Sequence, residues 1–174
     1  MFGPAAGLLM YASAVAERRG ATVRRHSWSR QPPRPDEPES EAWVREETGP
    51  LLDTVGGNSL VIAKSLGTNA AAVAAERRLP AVWLTPLLVL PWISDALSRA
   101  TAPFLLIGGT VDPAWDGAVA RRLSPHVLEV EGADHGMYVP GPLTDSIAVL
   151  GHMVAAMEEF LDAIDWPGPR ERLG

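Results

Sequence analysis

The chain has 174 residues, with 15 Lys+Arg against 21 Asp+Glu, a formal net charge of −6, 47% hydrophobic residues and no cysteine. That length and apolar content describe a domain able to bury a core. The negative balance argues against a dedicated nucleic-acid binder, and the lack of cysteine excludes a disulfide scaffold, a thiolate metal site and a cysteine nucleophile. No charge-free apolar run reaches the roughly 18 residues of a spanning helix, so neither nucleic acid nor a membrane is an expected partner.

Residues 2–16 are largely apolar and contain Ala12-Ser13-Ala14, a small-residue triplet like a cleavage site, but no basic residue precedes them. Leu8, Leu9, Tyr11, Ala12, Val15 and Ala16 recur near helical spacing and run into Glu17-Arg18-Arg19-Gly20. That spacing predicts a core helix over 8–19 and a cytoplasmic protein. Residues 21–28 read as a strand. Six arginines and one glutamate fall within 17–34, the pattern of a solvated basic face. Prolines at 32, 33, 35 and 38 lack backbone donors and predict a surface loop over 29–38.

A charged amphipathic helix follows over 39–54, bent near Gly49-Pro50, and Gly56-Gly57-Asn58 marks a turn. Residues 59–63 form a short apolar run of the kind buried on both faces of a parallel sheet. The alternation continues with helix 66–78, strand 81–85, helix 91–99, strand 104–108, helix 113–123, strand 127–130, helix 143–164 and a frayed tail over 167–174. Such alternation predicts an α/β protein with three α/β/α layers and a mostly parallel sheet, as a single domain over 1–166. The stretch between strands 81–85 and 104–108 is too short for an inserted domain.

Chemistry concentrates where strands end. Ala63-Lys64-Ser65-Leu66-Gly67 joins a buried strand to a helix across small-x-Ser-x-small, the pattern of a nucleophile elbow, in which small residues flank a serine on a strained turn. A phosphate-binding loop would need glycines where Asn58 and Ala63 stand and a loop where 59–62 reads as strand; a plain strand-to-helix junction is the other alternative. Gly109-Thr110-Val111-Asp112 places a carboxylate just past a strand, and Asp134-His135-Gly136 does the same for an imidazole. Ligand sites of open α/β sheets lie at such strand ends. Singly, Asp112 reads as a helix cap and His135 as a loop residue; the order Ser65, Asp112, His135 is that of a triad on this architecture. His26, His126 and His152 fall outside the expected loop, Asp116 reads as a cap or surface residue, and Lys64, the only lysine, reads as a surface residue, with tuning of the adjacent Ser65 site as the alternative.

On these three motifs the chain resembles small α/β-hydrolase-fold proteins over nearly all of its length. The resemblance implies Ser65 as nucleophile, His135 as general base and then acid, and Asp112 as the group that orients the imidazole. It also implies an oxyanion hole made by the backbone amides of Leu66 and Ala5, and a lidless serine hydrolase of carboxylic esters or thioesters that needs neither cofactor nor metal. Leu87 to Leu90 and Trp115 read as core, leaving Trp92, Met137 and Tyr138 as candidate substrate contacts. A homo-oligomer is compatible with this reading. A non-catalytic binding or scaffold protein and a peptidase are the competing functions.

In the fold resembled, a strand before the oxyanion loop lies between 21–28 and 59–63, and only Met1 and Phe2 stand in its place. N-terminal strands are therefore expected to be reduced or missing. Either the natural chain extends upstream, or 21–28 shifts inward and pairs with 59–63 in a rearranged five-stranded sheet.

Overall fold

A computed structural model describes residues 7–56 and 58–168. Its sheet has four parallel strands in the order β1 (Val61–Lys64), β2 (Ala81–Leu84), β3 (Phe104–Gly109) and β4 (His126–Val130). The helices are α1 (Gly7–Arg18), α2 (Glu39–Leu52), α3 (Ala71–Glu76), α4 (Pro91–Ser98), α5 (Gly117–Leu123) and α6 (Leu143–Ala163), with a 3-10 helix over Ser65–Ala70 leading into α3.

Strands β2 and β3 are buried at every residue, because helices cover both faces and leave no position where a polar side chain would meet water. Side chains alternate between two cores, as the two-residue period of a strand requires. Val82, Leu84, Leu105 and Ile107 face α1 and α6 in one core, with Met153, Met157 and Leu161. Ala81, Trp83, Phe104 and Leu106 face the other, with Val44 of α2, Ala71 and Ala72 of α3, Ile93 and Leu97 of α4 and Ala120 of α5. All four strands run the same way, so their C-terminal ends open onto one edge of the sheet.

Residues 21–28 form no strand. The segment is fastened to its neighbours through side chains: Arg25 to Glu17 at 2.9 Å, Arg24 to Thr54 at 2.8 Å, and Trp28 against Trp43 at 5.0 Å between ring centroids. The Glu47 carboxylate also accepts from the Ser29 amide at 2.9 Å. The composition there suits a strand, but a strand exists only beside a partner ladder. The rearranged five-stranded sheet is thus overturned: β1 pairs with β2 on one flank, and no described strand lies on the other.

Two helix starts also differ from expectation. The segment after Ser65 opens as a 3-10 turn rather than an α-helix. Helix α5 begins at Gly117 instead of 113 because Asp112 captures the next turn, accepting from Ala114 N with its side chain and from Trp115 N with its carbonyl.

Candidate active site

Strand β1 ends at Lys64, and Ser65 beyond it has φ +51°, left-handed backbone at a residue that carries a Cβ. Such a conformation stores roughly 1–3 kcal/mol and persists where the surroundings over-determine it. Three ties do so here. A Cβ on Gly67 would lie 3.0 Å from the Ala63 Cβ, so the strand and the helix pass at the closest approach two small residues allow. Thr68 Oγ1 donates to the Ser65 carbonyl at 2.7 Å, and Asn69 Nδ2 donates to the Leu66 carbonyl at 3.0 Å. Asn69 is itself only 1% exposed, and its Oδ1 accepts from Trp92 Nε1 at 2.9 Å and from Ser40 Oγ at 3.2 Å.

At the end of β3 the backbone replaces side chains as the contact surface. A Cβ on Gly109 would overlap the Ala133 carbonyl, and one on Gly108 would enter the Trp115 ring. The loops after β3 and β4 can therefore lie against each other, joined by Thr110 N to Val130 O at 3.0 Å and Val111 N to Ala133 O at 3.2 Å. This contact brings Asp112 to His135. The Asp112 side chain is 0% exposed, with Oδ1 accepting from Ala114 N at 2.9 Å and Oδ2 lying 2.7 Å from His135 Nδ1. A buried carboxylate is an acceptor only, which sets the His135 tautomer with its proton on Nδ1. Nε2 then accepts the Ser65 hydroxyl at 2.8 Å.

The His135 loop is held closed by Asp134, whose Oδ1 accepts from Gly136 N at 2.8 Å and from Tyr138 N at 2.9 Å. Lys64 does not project into solvent as its residue type suggests. It is half-buried, its Nζ donates to the His135 carbonyl at 3.0 Å, and burial pushes its pKa down against the opposing pull of Asp112 and Asp134.

Of the residues singled out in the sequence, the structure brings Ser65, His135 and Asp112 into one hydrogen-bonded relay. Leu66 directly follows the nucleophile position, while Ala5 lies outside the described residues. Trp92 has its indole N–H committed to Asn69, and Met137, 3% exposed, packs in the core with α6, so both have structural duties. Tyr138 is 58% exposed beside the relay loop. Asp116 caps α5 by accepting from Val119 N at 2.9 Å. His26 lies 3.5 Å from Glu47, His126 packs on Phe160, and His152 is exposed on α6. Among the described residues no cluster of three His, Asp or Glu could hold a metal ion. Nor is any described helix long and apolar enough to cross a membrane.

A parallel sheet with helices on both faces, and a Ser, Asp and His beyond the ends of β1, β3 and β4, defines an α/β-hydrolase-like fold. No protein-family model and no curated protein sequence matches the chain. Solved structures do. An alpha-beta serine hydrolase homologue from Coxiella burnetii superposes with a TM-score of 0.63 at 16% identity, covering 88% of this chain and 77% of that one. A YdeN-like hydrolase from Pectobacterium atrosepticum superposes with a TM-score of 0.53 at 17% identity, covering 85% of this chain and 83% of that one. The likeness is one of fold.

Proposed function

We propose that the chain is a serine hydrolase of carboxylic esters or thioesters working through an acyl-enzyme. The observation that carries this reading is the Ser65–His135–Asp112 relay, at 2.8 Å and 2.7 Å, on a strained strand-to-helix turn. In the forward half-reaction Ser65 Oγ attacks the carbonyl carbon while His135 Nε2 takes its proton. The imidazolium, held against the buried Asp112 carboxylate, then returns that proton to the departing alkoxide or thiolate as the carbon–oxygen or carbon–sulfur bond breaks. In the second half a water attacks the acyl carbon, His135 accepts its proton, and the bond to Ser65 breaks as that proton returns to Oγ, releasing the acid. The amide of Leu66 faces the developing oxyanion in this reading, with Ala5 as the second donor. The hydrolase character of the structural neighbours supports the reaction class.

A fluorophosphonate probe reacts with a serine whose proton is taken by an adjacent base. It is expected to label wild-type protein at Ser65, and Ser65→Ala is expected to abolish both labelling and hydrolysis of a short p-nitrophenyl ester. Wild-type turnover in Ser65→Ala would sink the proposal, and absence of both labelling and turnover in the wild-type protein would favour a non-catalytic binding protein.

A further inference from the structure

Lys64 is the one lysine among 15 Lys+Arg residues, and it occupies the last position of β1, directly before Ser65. Its ammonium reaches 71 positions along the chain to the main-chain carbonyl of His135. The neighbouring strand sets the buried apolar Leu84 beside it. The charges that act on it are those of Asp112 and Asp134, from the loops after β3 and β4. Helix α1 also packs on β1, but its titratable and charged Tyr11, Glu17 and Arg18 are exposed, and Glu17 pairs with Arg25. An ammonium withdrawn from water onto a carbonyl is a poor use of a solvated charge but a strong, directed link.

We infer that Lys64 is a positioning residue that fastens the His135 main chain to the end of the nucleophile strand and so sets the reach of the imidazole to Ser65. The contacts close a ring: Ser65 hydroxyl to His135 ring, His135 carbonyl to Lys64 ammonium, and Lys64 to Ser65 through one peptide bond. Displacing any member changes the distance across which the proton moves, and misplacement of about 1 Å can lower a rate by ~10²-fold. The kinetic consequences rest on the hydrolase reading; the link itself does not.

Burial holds the Lys64 pKa below the ordinary lysine value, so the charge-assisted donor is released at a lower pH than an ordinary lysine would be. The enzyme therefore loses rate on the alkaline side before an ordinary lysine would titrate. Lys64→Met is expected to reduce kcat of short-ester hydrolysis by roughly 10- to 100-fold with little change in KM. Lys64→Arg, charged at every working pH, is expected to restore most of kcat and to move the alkaline limb upward.

Protein labelled with [ε-13C]lysine gives a single signal, expected to titrate below the ordinary lysine range when folded and to return to it on unfolding. Wild-type kcat in folded Lys64→Met, or a His135 carbonyl 13C shift that does not move with the lysine titration, overturns the inference. Should Lys64→Met fail to fold, this shared titration of the His135 carbonyl and the lysine decides alone. Absence of ester turnover in wild-type protein overturns the hydrolase reading instead, and the titration, which needs no substrate, still judges the Lys64 link.

Discussion

At the end of β3, every strand residue is buried, Gly109 lies against the Ala133 carbonyl with no room for a Cβ, and the Asp112 side chain beyond it has both oxygens engaged. At the end of β1, every strand residue is only half-buried, and Ser65 is held by the close pass of Ala63 and Gly67 and by three side chains: Thr68, His135 and, through the His135 loop, Lys64. Asp112 is thus located by backbone pressed on backbone, which no rotamer change can adjust. Ser65 adds to its one tight backbone pass a set of side-chain ties, each of which can be removed singly. Substitutions near Asp112 should damage fold and chemistry together, whereas loss of the side-chain ties at Ser65 should act mainly on chemistry.

The sharpest test of that contrast sets two nearby carboxylates against each other. Asp112→Asn is expected to lower kcat on the scale of ~10⁴, the size of the analogous change in a serine protease, since an amide no longer dictates the His135 tautomer. Asp116→Asn is expected to leave kcat unchanged and to alter stability by less than about 1 kcal/mol, because asparagine also caps helices. A large effect at Asp116 with none at Asp112 would reassign the acid and break the comparison.

A smaller effect falls on stability. Gly109→Ala forces a methyl group onto the Ala133 carbonyl, and overpacking of this kind typically costs about 1–3 kcal/mol, with Tm falling by roughly 2–4 °C per kcal/mol in a domain this size. Thermal unfolding measured beside kcat should show both declining together. An unchanged Tm would mean that the two loops are not locked by their backbones.

Smallest of all is Thr68→Val, which keeps shape but removes the hydroxyl that donates to the Ser65 carbonyl. A net loss of about 0.5–1.5 kcal/mol is expected, appearing as a several-fold lower kcat with Tm within a few degrees of wild type. If Tm fell as far as in Gly109→Ala, the nucleophile side would be no more adjustable than the acid side.

Most of the C-terminal half was readable because strands buried on both faces are continuous apolar runs, and Pro80 and Pro103 mark where β2 and β3 begin. Ser65, Asp112 and His135 stood out because each follows a strand-like segment, although only the strand before Asp112 is buried throughout. The segment over 21–28 was misread because its composition suits a strand, and whether such a segment becomes one depends on a neighbour that local sequence does not name. Pro113 suggested a helix start, yet the Asp112 side chain took the Ala114 amide first and delayed α5. Lys64 was unreadable by type, since a lysine at a strand end ordinarily seeks water. Its partner is a main-chain oxygen that any residue at 135 would carry. Its rarity in an arginine-rich chain and its place beside Ser65 were the local signals.

The contact between Ala63 and Gly67 also orders the mutational history open to this turn. With a methyl group at 63, a second at 67 would sit 3.0 Å away, tighter than side chains comfortably tolerate. One position can carry the carbon freely only while the other lacks it, so the effect of Gly67→Ala depends on the residue at 63. An evolving lineage can exchange Ala-x-Ser-x-Gly for Gly-x-Ser-x-Ala most easily through the double-glycine form, which sacrifices some rigidity, roughly 0.5–1 kcal/mol per added glycine, for an unobstructed passage. Either alanine form is thereby a local trap in sequence space, connected to the other by a neutral-to-slightly-harmful step rather than by a direct exchange.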